Sequence, residues 1–212
     1  VILLIGVVCG GLQYSDFVSR TVYEESVSHL TEVFHQSNNL LSELADKNLT
    51  YLHMWSEYLA NTSDESEIHE YIDKAQEEAG FLSFYFLSAD GNYKMTTGET
   101  GYLGLQENLE DEIRQGKDLI TNVALPGKSQ MLVFVSPRAY GTYQGFEYDA
   151  IAIAYENADI VKVLDISAFQ GNAKSYVVHS DGRVVIDHSN ESWGTVYNFF
   201  GVLREHSDIS EE

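Results

Sequence analysis

From about Ser15 to Ala60 the chain carries neither proline nor glycine. Apolar residues recur through this stretch at Tyr23, Val27, Leu30, Phe34, Leu41, Leu44, Leu52, Trp55 and Leu59. Their spacings of three, four, seven and eight residues fall on one stripe of a helix. Some 45 residues at 1.5 Å each make a rod of roughly 65 Å, longer than an ordinary globular helix. The stretch therefore reads as a spine helix, residues 15–60, around which the rest must be organised. Two helices broken near Gln36-Ser-Asn-Asn39 are the alternative, because Asn and Ser lower helix propensity, although only modestly. The near-heptad stripe predicts a parallel homodimer along this helix.

Ahead of the spine stand Val1 to Leu12, uncharged and apolar apart from glycine and Cys9. A bilayer needs about 20 such residues. The expectation is the outer part of a membrane helix, residues 1–14, running straight into the spine. A signal-peptide core is the alternative, but Gly10-Gly-Leu-Gln-Tyr14 is a poor cleavage site.

The sequence has 212 residues, 33 acidic and 12 basic, and a formal net charge of -21. Only Asp16 and Arg20 are charged in the first 20 residues, so the charge belongs almost wholly to residues 21–212. Such a chain excludes broad binding of nucleic acid, which requires Lys and Arg against phosphates. Docking of the folded part on anionic lipid is disfavoured for the same reason. Hydrophobic residues at 44% exclude a disordered acidic tail. The single Cys excludes a disulfide framework and a cysteine metal cluster.

After the spine, Thr62 and Glu65 have capping-box spacing, and Ile68, Tyr71, Ile72 and Ala75 mark a short amphipathic helix closed by Gly80. Asn48, Asn61 and Asn190 open glycosylation sequons, short matches of little weight without a secretory context. Residues 81–88 and 92–97 are strand-like runs joined by Ala89-Asp90-Gly91, a strong hairpin signal. A glycine-containing loop, 98–104, leads to a short acidic helix over 107–115. Strands are expected over 118–125, 129–139 and 148–155, with a turn at Pro126-Gly-Lys128 and a Tyr/Gly loop before the third. Residues 157–169 look helical. A second hairpin spans 175–189 around Asp181-Gly182. Tyr85 and Tyr176 each stand five residues before Asp-Gly, at an offset of 91, which reads as the start of a second copy of one domain type.

In this order and spacing the chain resembles the extracytoplasmic Cache sensor domain, and the return into a second Tyr-x-x-x-x-Asp-Gly hairpin is similar to the double-Cache arrangement. The resemblance covers roughly residues 15–200. It implies an α+β, PAS-like fold: a long N-terminal helix packed on an antiparallel sheet of about five strands. It places a membrane-distal domain over 61–170, the start of a smaller membrane-proximal one over 171–212, and a ligand pocket on the sheet face away from the helix. Amino-acid-binding members of the family carry Arg-x-Trp-Tyr. Here the corresponding stretch reads Tyr102-Leu-Gly-Leu-Gln-Glu-Asn-Leu109.

Arg138 lies two positions from Ser136 and four from Phe134, so strand alternation puts the three on one face. A pocket-facing Arg can fork onto a ligand carboxylate. A strand-end Arg paired with a surface acid is the commoner reading. Tyr85, Tyr102 and Tyr155 are candidate aromatic walls with hydroxyl partners. These six are the expected ligand-binding residues. His179 and His188, with Asp181 and Asp187, lack metal-ligand spacing, and His29, His35, His53 and His69 form no His-Glu-x-x-His. Neither a metal, a cofactor nor a catalytic group is expected. The sequence thus predicts a non-enzymatic domain outside the cytoplasm that senses a small organic ligand, an amino acid, carboxylate or amine, for a membrane receptor such as a histidine kinase, diguanylate cyclase or chemoreceptor. A secreted hydrolase and a ligand-free adhesion module are the rivals.

Overall fold

The computed structural model describes residues 2–103, 107–124, 130–164, 176–178, 182 and 184–187. Helix α1 runs unbroken over Ile2–Asn61. Its 60 residues give a length of roughly 90 Å. There is no break at Gln36-Ser-Asn-Asn39. A few tenths of a kcal/mol per Asn or Ser does not interrupt a helix of this length. Side chains of residues 1–17 lie outside the described ones, and with them the expected membrane segment, residues 1–14. Among the described residues no helix is long and apolar enough to cross a membrane.

Helix α2, Glu65–Ala79, begins two residues later than the capping-box pattern suggests. Asp64, not Thr62, is its N-cap: Oδ1 accepts from the amides of Ser66 (2.9 Å) and Glu67 (3.3 Å). An aspartate here satisfies two orphan amides and also faces the positive end of the helix dipole. Gly80 closes the helix in the left-handed region, φ +71°.

Strands β1 (Ser83–Leu87), β2 (Asn92–Met95) and β3 (Thr100–Tyr102) form a meander, and helix α3 spans Glu107–Arg114. Strands β4 (Leu119–Ala124) and β5 (Gln130–Ser136) make a second antiparallel pair. A small hairpin, β6 (Gly141–Tyr143) and β7 (Phe146–Tyr148), precedes β8 (Ala150–Glu156) and helix α4 (Asn157–Leu164). The last sheet strand, β8, inserts between the two earlier units. The order is β3-β2-β1-β8-β5-β4, six strands where five were expected, all pairings antiparallel. The additional strand is β3, in the stretch read as a loop. The Tyr/Gly loop is the β6–β7 hairpin, turned by Gln144 (φ +47°) and Gly145 (φ +74°). Two positive φ values in succession suit a two-residue turn matched to strand twist. Gln144 also accepts from Lys94 Nζ at 2.8 Å and donates its amide to Glu65 at 3.0 Å, tying this hairpin to β2 and to the start of α2.

Gly91 carries the β1–β2 turn with φ +85°, and a Cβ there would come within 2.9 Å of the Tyr102 ring. Strands β9 (Tyr176–Val178) and β10 (Val184–Asp187) form the second Asp-Gly hairpin, in which Gly182 has φ +91°. Asn122 on the edge strand β4 donates to the carbonyl of Val184 at 2.9 Å. The Pro126-Gly-Lys128 turn, His179, Asp181, His188, Asn190, residues 165–175 and residues 191–212 lie outside the described residues. So does the side chain of Asp187.

The helical stripe divides in two. Leu52, Trp55 and Leu59 are buried against the sheet, and Leu41 and Leu44 pack at its margin. Tyr23, Val27, Leu30 and Phe34, on the same face, are exposed.

Candidate functional site

Strand register sorts the side chains onto two chemically different faces. The face under α1 is aromatic and branched: Phe84, Phe86, Leu132, Phe134, Ile151 and Ile153 pack with Trp55 and Leu52. On the opposite face the central strand β8 presents Ala150, Ala152 and Ala154, and at its end Glu156. Larger side chains from the flanking strands, with Leu103 and Ile113, pack over these small ones, and the three alanines have no exposed surface. One cross-strand row there runs Ser83, Ala154, Val133, Thr121. Hydroxyls thus stand at both ends of a row whose middle is a methyl and an isopropyl group.

Tyr85 and Tyr93 wall one side, ring centroids 4.9 Å apart and edge to face. Tyr93 is pinned because its ring lies across Gly101, where a Cβ would meet the hydroxyl at 2.7 Å. Burial pushes the Tyr85 phenol up; the Ser83 hydroxyl pulls it back, and Tyr93 and Glu99 add to the rise. Burial and then Glu99 raise Tyr93. Ile113 of α3 and Leu103 belong to the same layer. This closed layer is therefore apolar, with Ser83, Thr121 and two phenols at its edge and the Glu99 carboxylate acting on the phenols.

The six expected residues do not form one group. Tyr85 stands on the alanine face, buried. Phe134, Ser136 and Tyr155 stand on the α1 face, and Arg138 lies just past the end of β5. Phe134 is in the core with Trp55. Ser136 Oγ donates to Asp118 Oδ1 at 2.9 Å, while Arg138 stands 3.6 Å from Asp118 Oδ2 and is 57% exposed. Arg138 therefore makes a surface ion pair and is not on the alanine face. Tyr102 lies on the edge strand, its ring against Gly91 and half exposed.

His53 completes the Asp118 cluster: its Nε2 is 2.8 Å from Asp118 Oδ2, joining α1 to the start of β4. The serine hydroxyl goes to the carboxylate and not to the imidazole, so the trio is no proton relay of the hydrolytic kind. His53 and Asp118 lie 65 residues apart, with no local pattern that could have paired them.

Tyr155 donates to Asn48 Oδ1 at 2.7 Å, and the Asn48 amide donates to the Leu44 carbonyl at 2.9 Å. Asn48 is 1% exposed, so this sequon is closed to a glycan. Tyr155→Phe should cost about 1–3 kcal/mol, the penalty for an orphaned buried acceptor. Denaturant unfolding should show it as a lower midpoint at unchanged slope. Adding Asn48→Leu should recover much of the loss, since removing both partners orphans nothing.

Burial, then the Tyr51 phenol, push Tyr155 up to about 12, against the pull of the Asn48 bond. The unfolded phenol titrates near 10. The fold favours the neutral form, so this contribution is complete below pH about 10 and is lost as pH climbs toward 12. Ultraviolet titration of phenolate should show one tyrosine ionising with alkaline unfolding, absent in Tyr155→Phe.

Among the described residues no group of three or more His, Cys, Asp or Glu could hold a metal ion. No protein-family model matches the chain, and no curated protein sequence does. Solved structures do match. The ligand-binding domain of the Pseudomonas aeruginosa amino acid chemoreceptor PctB, in complex with L-arginine, superposes with a TM-score of 0.55 at 15% identity, over 76% of this chain and 70% of that one. The ligand-binding domain of the Campylobacter jejuni chemoreceptor Tlp3, with L-norvaline, gives 0.54 at 8% identity over 89% and 80%. The same receptor's sensory domain with isoleucine gives 0.53 at 9% over 89% and 82%. The chain has the fold of these chemoreceptor sensory domains, and the α+β, Cache-like expectation is borne out at that level.

Proposed function

We propose that this chain is a ligand-sensing domain, outside the cytoplasm, of a membrane-bound signalling receptor. The observation that carries the reading is the likeness in fold to chemoreceptor domains solved with amino acids. The sheet face away from the spine helix supports it: Ala150, Ala152 and Ala154 lie there beside Ser83, Thr121, Tyr85 and Tyr93 in a closed layer that a ligand would have to open. Tyr85 is the expected site residue retained on this face, with Ser83 and Tyr93 added. Phe134, Ser136 and Tyr155 join sheet to spine, so that a change on one face reaches the helix on the other. The apolar start of α1 is the membrane attachment, and residues 171–212 open a second, membrane-proximal domain. The segment itself is not an enzyme.

A thermal-shift panel of amino acids, carboxylates, amines, purines and sugars tests the sensing reading. A ligand at about 100 times its Kd adds about 2.7 kcal/mol, worth roughly 5–10 °C for a domain of this size. One compound class should give such a shift, reduced by Tyr85→Phe. No shift from any class, or turnover of a generic ester or peptide substrate, would overturn it.

The exposed stripe of Tyr23, Val27, Leu30 and Phe34 repeats at four, three and four residues, the spacing of a coiled-coil seam. Its occupant in this reading is the same stripe of a second copy, in parallel. Phe34→Glu should then convert sedimenting dimer to monomer without altering thermal stability of the sheet domain.

A further inference from the structure

A concavity lies between α1 and α2, away from the alanine face of the sheet. It has a volume of about 210 Å³. Its origin is a mismatch of side-chain size. On α2, Ala75 and Ala79 stand one turn apart; across from them α1 presents Tyr51 and Trp55. Tyr51 and Trp55 stack nearly parallel, centroids 5.7 Å apart. Tyr71 is held by its stack on Tyr58, centroids 4.0 Å apart. Tyr71 is thus held by a ring outside the groove, Trp55 by Phe81 and Phe84, and Tyr51 by Trp55, which prevents the walls from collapsing into it.

Lys74 and Glu78 stand at the mouth, both exposed and one helical turn apart. That spacing ordinarily lets a cation and an anion pair. Among the described residues they make no ion pair with each other or with a third group. Glu78 instead contributes to raising the Tyr71 phenol, after burial and Tyr58. An unpaired ammonium and carboxylate therefore flank an aromatic groove. The volume falls below the usual range for drug-sized ligands, about 300–1,000 Å³, which excludes a nucleotide or a peptide.

We propose that this groove is a second ligand site, for a small single-ring zwitterion whose carboxylate meets Lys74, whose ammonium meets Glu78, and whose ring enters between Trp55 and Tyr71. It goes beyond the site proposed on the alanine face and does not depend on it. A molecule seated here touches both helices and so sets how α2 rides on the spine.

The test is calorimetric titration of the full chain with L-phenylalanine, phenethylamine and 3-phenylpropionate. The zwitterion should bind more tightly than either singly charged analogue. Lys74→Gln should weaken L-phenylalanine and 3-phenylpropionate by about three- to fivefold, the size of an exposed ion pair, and leave phenethylamine unchanged. Glu78→Gln should do the reverse: amine and zwitterion weaken, the acid does not. Ala75→Met, which fills the groove, should remove all binding. Circular dichroism should report all three variants folded, the first two being changes at exposed positions. Tyr85→Phe, on the far face of the sheet, should leave these affinities intact. The proposal fails if none of the three compounds binds at up to about 10 mM, a free energy near -3 kcal/mol. It fails equally if binding survives Ala75→Met, or if Tyr85→Phe and not the charge variants weakens it; the last outcome would assign the ligand to the alanine face of the sheet.

Discussion

Trp55→Ala is expected to cost about 3–5 kcal/mol, a large share of the roughly 5–15 kcal/mol that holds a domain folded. Trp55 is 4% exposed and is the knot between helix and sheet: it stacks on Tyr51 of its own helix and meets Phe81 at 5.4 Å and Phe84 at 5.8 Å, both edge to face. Removing the indole opens a cavity at the one place where aromatic residues of α1 and of the chain entering β1 interlock. The surrounding rings are anchored elsewhere and cannot collapse into the gap, so the cost belongs at the upper end. The midpoint of thermal unfolding should fall by roughly 10 °C. Hydrogen exchange should rise first in the amides of residues 49–61, the part of the spine that loses its partner. A loss below about 1 kcal/mol would mean that the spine is held mainly by its other contacts.

Phe86→Ala is the second. Phe86 has no exposed surface and lies on β1, paired on both sides. Its ring stacks on Tyr143 at 4.2 Å and meets Phe84 at 5.4 Å and Tyr148 at 5.0 Å. Phe86 therefore seats the β6–β7 hairpin on the sheet, and that hairpin bonds α2 through Glu65. The cost should again be about 3–5 kcal/mol. The distribution should differ: exchange should accelerate across β6, β7 and the start of α2, while residues 49–61 keep their protection. Near-ultraviolet circular dichroism, dominated by the stacked Tyr143, should lose intensity. Equal loss of protection everywhere in both variants would show that spine and hairpin unfold as one unit.

Much of the fold was legible because its signals are local. The spine announces itself by periodicity, the first hairpin by Asp90-Gly91, the end of α2 by Gly80. The short strands were not. Thr100-Gly-Tyr102 is too brief for alternation to show, and its pairing is dictated by the β2 edge it completes. Gln144-Gly145 is a weaker turn signal than Asp-Gly, so β6 and β7 read as loop. The cap at Asp64 was hidden by a better-looking Thr62–Glu65 pair. For the site the limit is of another kind. Alternation correctly puts Phe134 and Ser136 on one side of a strand, yet parity does not say which side looks at the helix. That is fixed by pairing with β8, where Phe134 meets Ile153 and Val133 meets Ala154. The same register reveals the alanine row, which in the sequence is only the alternation of Ile and Ala.

The divided stripe on α1 has a consequence for phase. An unbroken helix turns 100° per residue, so the azimuth of the seam formed by Tyr23, Val27, Leu30 and Phe34 is locked to that of Leu52, Trp55 and Leu59. The helix is a torsion shaft whose inner stripe is fixed on the sheet. One residue inserted between Phe34 and Leu41 would swing the seam by about 100° relative to the sheet, while seven would return it to within about 20°. What such a shaft passes along its length depends on angular register more than on length.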